Sequence, residues 1–228
     1  MYNEFNAVKI ARFKMVDIKE KFGEALDVVD VYFTAVPETV SFMPLVPIER
    51  NHEIERVSNE RVRAEKYCVW KLLEYALYKS FGYKMSDLTF VRTENGKWIC
   101  DKCEFSLSHC EGATAVAVAN SPVGVDIETT RRLSRERFAN RILTKSESTV
   151  YEKLADEEKE RFLLGIWTKK ESIFKREGGK SLSPSSIETL EAKLYHGYVE
   201  LSDKEYVFSV ATDTPEAVRI YSNVEIFK

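Results

Sequence analysis

Two long stretches of helical period, one in each half of the chain, set the frame for everything else. Residues 59–80, NERVRAEKYCVWKLLEYALYKS, place Val62, Tyr67, Val69, Trp70, Leu73, Ala76 and Leu77 close to i, i+3, i+4, i+7 spacing. That is the period of an amphipathic helix. Ser58 is the expected N-cap and Gly82 the stop. A second helical region runs from about 134 to 177, where Thr144, Lys145, Ser146 and Glu147 match a capping box. Asp156 is the expected cap of a helix reaching Glu177, closed by Gly178-Gly179.

Around these helices lie only short strand patterns. VVDVYFTA at 28–35 is closed by Pro37; LTFVRT (88–93), KWIC (97–100), FSLS (105–108) and ATAVAVAN (113–120) follow the first helix. VGVDIE at 123–128 comes after a Ser121-Pro122 turn, so 113–128 reads as a hairpin whose first arm is apolar on both faces. Three more strands are expected near 193–201, 205–212 and 217–221. Each half thus has one principal helix and a small sheet, an α+β chain of two lobes joined near residue 120. Residues 28–120 make the first lobe and 121–228 the second, while 1–27 match no element and form an N-terminal extension.

At 228 residues the chain buries roughly two-thirds of its unfolded surface without needing a staple. A net charge of −3 lacks the basic footprint of a duplex nucleic-acid binder. No window approaches the ~18 apolar residues of a membrane span, and MYNEFNAVKIARFK has no apolar signal core. A cytoplasmic protein with four reduced cysteines is the expectation.

In VGVDIE, strand alternation turns Val123, Val125 and Ile127 one way and Gly124, Asp126 and Glu128 the other. Two carboxylates on one face suit Mg²⁺, a hard cation that sits between carboxylates and phosphates; a solvated acidic strand face has the same pattern. Gly124 leaves room on that face for close approach. In WTKKESIFK, Trp167, Glu171 and Lys175 fall on one helix face at i, i+4 and i+8. Glu171 is either half of a surface ion pair or a third metal ligand and general base. In the second case Lys170 and Lys175 neutralise phosphate oxygens as point charges. His109, at the end of FSLSH, is a phosphate contact near that acidic face or a structural histidine.

CDKCEFSLSHC at 100–110 offers another reading, a zinc-binding interaction module built on Cys100, Cys103, His109 and Cys110. Adjacent His109 and Cys110 point apart on an extended strand, which counts against a tetrahedral set. A CxxC of thioredoxin type opens a helix in a βαβ unit, and no such unit follows here.

NGKW at 95–98, FSLSH at 105–109, VGVDIE at 123–128 and WTKKESIFK at 167–175 together resemble the motifs of Sfp-type 4′-phosphopantetheinyl transferases, in order and spacing. The resemblance spans roughly residues 58 to 185; Trp98 and Cys110 replace that family's usual proline and serine. It implies two pseudo-symmetric lobes, each a small, mainly antiparallel sheet packed with a long helix, and coenzyme A in the cleft between them. The implied activity is that of a holo-[acyl-carrier-protein] synthase, which moves the phosphopantetheine arm of coenzyme A to a serine of an apo carrier protein and releases adenosine 3′,5′-bisphosphate. Fatty-acid, polyketide and nonribosomal-peptide pathways use such carriers. By position, Asp126, Glu128 and Glu171 resemble the Mg²⁺ ligands, and Glu171, or Asp126 through a metal-held water, the base. Lys175 resembles the residue acting on the leaving phosphate, with Lys170 supporting the phosphates. Ser108, His109, Lys97 and Arg63 resemble coenzyme A contacts, Arg61 competing with Arg63 in register. The family also implies a monomer. Carrier proteins present an acidic helix, so RRLSRERFANR at 131–141, with Arg131, Arg132, Arg135 and Arg137, is a candidate docking surface or simply a solvated helix face. A coenzyme A binder without turnover is the remaining alternative.

Overall fold

The computed structural model describes residues 27–130, 135–179 and 183–227. Of the N-terminal extension all but Asp27 lies outside the described residues, as do Arg131 and Arg132. In chain order the elements are β1 (Val29–Ala35), α1 (Ile48–Glu55), α2 (Glu60–Phe81), β2 (Phe90–Arg92), β3 (Trp98–Cys100), β4 (Glu104–Cys110) and β5 (Ala113–Ala119). Then follow β6 (Gly124–Thr129), α3 (Arg135–Ile142), α4 (Lys145–Tyr151), α5 (Asp156–Glu177), β7 (Tyr195–Leu201), β8 (Lys204–Ala211) and β9 (Val218–Tyr221). No helix among the described residues is long and apolar enough to cross a membrane.

Both principal helices form where their periods place them. Asn59, one residue beyond the expected Ser58, caps α2 by accepting from the Val62 amide at 3.1 Å. Gly82 ends it in the left-handed region at φ 75°, where glycine carries no Cβ penalty. The Thr144–Glu147 capping box opens α4. Ala155, not Asp156, is the cap residue of α5, and Gly178 closes that helix at φ 63°.

Two sheets pack face to face between these helices. The first has the order β4-β5-β1-β9 and the second β6-β8-β7, with β2-β3 as a separate ribbon. β5 is buried along its whole length because its valines and alanines face different cores. Val116 and Val118 join Trp70, Leu73 and Leu77 of α2. Ala113, Ala115, Ala117 and Ala119 meet Val125, Ile127, Phe208 and Val210 of the second sheet. Methyl-sized side chains on that face let the sheets approach closely.

Two expectations need correction. Residues 113–128 are not a hairpin: β5 pairs with β4 and β1, whereas β6 pairs with β8 in the other sheet. The break at Ser121-Pro122 carries the chain from one sheet to the other. The final strand also leaves the second lobe's sheet, since β9 lies parallel to β1 in register Val29↔Val218 to Tyr32↔Tyr221. Arg219 holds it there, donating from Nε to Asp30 Oδ1 at 2.6 Å and from Nη2 to Oδ2 at 2.8 Å.

Candidate active site

The edge of one sheet meets the edge of the other at β4 and β6, through side chains. Ser106 Oγ accepts from the Val125 amide at 3.0 Å, and Ser108 Oγ from the Ile127 amide at 3.3 Å. Edge amides that would otherwise be buried without partners are thereby satisfied, and alternation on β4 aims both serines at β6. The acidic face of β6 turns toward α5. Gly124 permits this: a Cβ there would stand 1.9 Å from Ser172 O and 2.6 Å from the Arg176 amide. The close approach for which Gly124 leaves room is made by α5 itself.

Held at this distance, α5 delivers Lys175 to Asp126. Lys175 Nζ donates to Asp126 Oδ1 at 2.7 Å, to Ser108 Oγ at 2.9 Å and to Val125 O at 3.2 Å. Ser108 Oγ in turn donates to Asp126 Oδ1 at 2.8 Å. Asp126 is buried, yet its other oxygen, Oδ2, is buried without any hydrogen-bond partner. An ionised oxygen left so is costly unless a cation or donor reaches it. One turn earlier on α5, Glu171 has its pKa raised by burial and by the Asp126 charge, against the pull of Lys175. Glu128 Oε1 accepts from Trp167 Nε1 at 3.1 Å.

A turn of the first lobe closes over the end of α5. Lys97 Nζ donates to Lys175 O at 3.1 Å and Asn95 Nδ2 to Gly178 O at 3.0 Å. Lys97, Trp98, Phe105, Phe174 and Lys175 line a cavity of about 250 Å³ between turn and helix.

Asp126, Glu171, Lys175, Ser108 and Lys97 thus come together, with Glu128 at the margin beside Trp167. His109 does not join them. On β4 it faces opposite to Ser108, and its Nδ1 lies 3.1 Å from Glu65 Oε2 on α2. Arg63 lines a different cavity, of about 720 Å³, with Arg61, Phe42 and Gly112. Its guanidinium lies 5.4 Å from the Phe42 ring and 3.6 Å from Glu60.

Lys170 must be reassigned. It is fully buried, its Nζ 2.7 Å from Glu147 Oε2, and it donates to Pro184 O and Ile187 O at 2.8 and 2.6 Å. Lys175 lies more than one turn further along α5 and, at 100° per residue, on another face. Every proton of the Lys170 ammonium is committed inside the second lobe, so it does not face the cluster.

The cysteines separate as well. Cys100 and Cys103 Sγ atoms lie 3.5 Å apart. His109 and Cys110 stand at the other end of β4, roughly 20 Å along at about 3.3 Å per residue. Among the described residues no three His, Cys, Asp or Glu side chains form a metal-holding group, so the four-ligand zinc reading has no geometric basis here. The three carboxylates near α5 are likewise not a finished coordination shell. The orphaned Asp126 Oδ2 and the raised Glu171 nevertheless suit a hard divalent cation. Of the arginine run, the Arg135 side chain lies outside the described residues, while Arg137 is exposed on α3.

Ser106 was absent from the sequence-level site. Its signal is the FSLS alternation, which puts two hydroxyls on one face of a buried strand. Asn95 had no comparable signal, because its role depends on the turn that brings it to Gly178.

Residues 122–216, which carry β6, α5, β7 and β8, match the family model described as ACPS, 4′-phosphopantetheinyl transferase superfamily. The chain is 30% identical over 150 residues to the 4′-phosphopantetheinyl transferase Sfp of Bacillus subtilis (strain 168). That alignment takes in 64% of this chain and 66% of the relative, a little under two thirds of the relative's length.

Proposed function

Because the chain belongs to the 4′-phosphopantetheinyl transferase superfamily, we propose that it moves the 4′-phosphopantetheine arm of coenzyme A to a serine of an apo carrier protein. Adenosine 3′,5′-bisphosphate is the second product, and the reaction is that of a holo-[acyl-carrier-protein] synthase. The observation that carries this reading is the cluster of Lys175, Asp126 and Ser108 across the seam, with the raised Glu171 one turn away.

A serine hydroxyl is a weak nucleophile until a base takes its proton. Glu171 is the proposed base, and its raised pKa lets it hold a proton more firmly than an ordinary carboxylate does. Lys175 supplies positive charge, and a proton, to the phosphate oxygen from which the nucleotide leaves. Lys97 sits beside Lys175 at the lip of the cavity, where an anionic nucleotide gains a second cation. Ser108 keeps the Lys175 ammonium in line with Asp126. His109, oriented by Glu65, and Arg63 are proposed contacts for the more distant phosphate of coenzyme A. A Mg²⁺ ion would be held by Asp126 and Glu171, with Glu128 as the third carboxylate of the set, and would neutralise the pyrophosphate.

Arg137, with Arg131, Arg132 and Arg135, is proposed to meet the acidic helix of the carrier. The enzyme is proposed to act as a cytoplasmic monomer, since one chain supplies both sides of the seam.

Incubation with apo carrier protein, coenzyme A and Mg²⁺, followed by intact mass, tests the reading. Carriers from fatty-acid, polyketide and peptide synthesis should be tried in turn, and one of them should gain the phosphopantetheine mass. No gain on any carrier, together with measurable coenzyme A binding, would leave the non-catalytic binder as the correct reading. Asp126→Ala should abolish transfer.

A further inference from the structure

Cys100 ends β3 and Cys103 precedes β4, and the two-residue bend between them folds the thiols against each other. Their Sγ atoms are 3.5 Å apart, and Cys100 Sγ also lies 3.2 Å from Cys103 O. A disulfide needs about 2.05 Å between sulfurs, so closure requires each atom to move by well under an ångström. Cys103 is largely buried while Cys100 is partly exposed, which makes Cys100 the sulfur that an external reagent meets first. We propose that Cys100 and Cys103 form a reversible dithiol–disulfide site that takes low-molecular-weight disulfides as its oxidant.

The chemistry follows from the asymmetry of the pair. The hydrogen bond from Cys103 lowers the Cys100 pKa to about 6, against burial and the nearby Asp101 charge. The lowered pKa gives Cys100 a larger share of thiolate near neutral pH than an ordinary cysteine has, and thiolate is the form that attacks disulfides. Its sulfur bonds to one sulfur of the reagent and displaces the other as thiolate, leaving a mixed disulfide. Cys103 is held protonated chiefly by that same hydrogen bond, then by burial and the Cys100 charge. Both the bond and the charge vanish once Cys100 is in the mixed disulfide. Cys103 then gives its proton to the displaced thiolate and attacks the Cys100 sulfur, releasing the second thiol. Two protein thiols are oxidised, one reagent disulfide is reduced to two thiols, and no further electron carrier is needed. Cys68 offers the contrast: buried in the first core, its thiol is pushed up to about 12.

The bond would staple the β2–β3 ribbon to β4. That ribbon's turn carries Lys97, which reaches Lys175 O, and Cys100 follows it by three residues on β3. The site itself does not depend on the transferase reading.

The test uses the whole chain treated with oxidised glutathione, quenched in acid, alkylated with a maleimide and weighed intact. The wild type should lose two of its four alkylatable thiols without retaining glutathione. Trypsin cuts after Lys102, so the new bond should appear as residues 98–102 linked to the peptide that starts at Cys103. Dithiothreitol should restore all four thiols. Cys103→Ser should stop at a glutathione adduct on Cys100, and Cys100→Ser should react at residue 103 at least tenfold more slowly. A stable glutathione adduct on wild-type Cys100, or full alkylation of both thiols after treatment, would overturn the proposal.

Discussion

Lys170 Nζ and Glu147 Oε2 lie 2.7 Å apart with both side chains wholly shielded from solvent. Around them the polar bonding is complete. Glu147 Oε1 accepts from Thr189 Oγ1 at 2.7 Å and from the Thr189 amide at 3.1 Å, and Oε2 accepts from the Thr144 amide at 2.8 Å. One pair thereby ties α4, α5 and the loop before β7 together. Removing a single partner strands a buried charge, so Lys170→Met should destabilise the fold by about 3–5 kcal/mol in urea denaturation. Glu147→Leu with Lys170→Met should recover much of that loss. If Lys170→Met instead left stability intact and raised only the KM for coenzyme A, Lys170 would belong to the nucleotide site after all.

Gly124→Ala tests whether the spacing of α5 from β6 is what assembles the cluster. The added methyl meets backbone, not a side chain that can swing away, so α5 must move. A loss of about 3 kcal/mol is expected, at the upper end for overpacking. Lys175 should separate from Asp126, and transfer should fall even at temperatures where the variant remains folded. Normal turnover in folded Gly124→Ala would show that the close packing is not required.

Glu171 makes two linked predictions. Its carboxyl resonance should titrate above the usual glutamate range by NMR. Asp126→Asn removes a cause that raises the pKa and should lower it; Lys175→Gln removes the cause that lowers it and should raise it further. The folded state also binds this proton more tightly than the unfolded chain, so the group withdraws stability as pH rises through that window. Glu171→Gln should therefore raise Tm at pH 7.5 while abolishing transfer. A lower Tm for that variant would count against a burdened carboxylate at this position.

His196 gives the opposite pH signature. Its pKa is lowered to about 4 by burial and then by the Lys169 charge, with a smaller contribution from Arg161. Its Nδ1 lies 2.9 Å from Ser209 Oγ, which also meets Thr168 Oγ1 at 2.9 Å. Because the folded pKa lies below the unfolded value, the unfolded chain binds the extra proton first. Stability should fall as pH drops from about 6.5 toward 4 and flatten below that. The Tm of His196→Gln should decline less than that of the wild type across this interval. Parallel curves would show that other groups carry the acid sensitivity.

Local chemistry made much of this molecule legible in advance. The helix periods, the glycine stops and the Thr144–Glu147 box are signals carried within a few residues, and they emerged within a residue or two of expectation. So did the acidic face of β6 and the one-sided row of Trp167, Glu171 and Lys175. What stayed hidden depended on partners distant in the chain. Nothing near Lys170 announces Glu147, so Lys170 and Lys175 read alike although one faces the interior and the other the seam. His109 and Ser108 are neighbours in a motif but belong to opposite faces of β4, and only the position of α2 tells which face meets Glu65. The sheet exchange after residue 120 was likewise illegible, because a turn followed by a strand is equally good grammar for a hairpin.

The pairing of β9 with β1 also bears on how the chain reaches this state. Asp30 and Arg219 are separated by 189 positions, and the two strands bind in parallel. Contacts of such long range form late, after loop-closure entropy has been met by other parts of the fold. Until then β1 keeps an unpaired edge, the kind of surface on which foreign strands assemble. The first lobe's sheet thus takes its fourth strand from the second half of the chain. That sheet waits on the second lobe for completion, and the interval before β9 docks is when the chain is most open to aggregation.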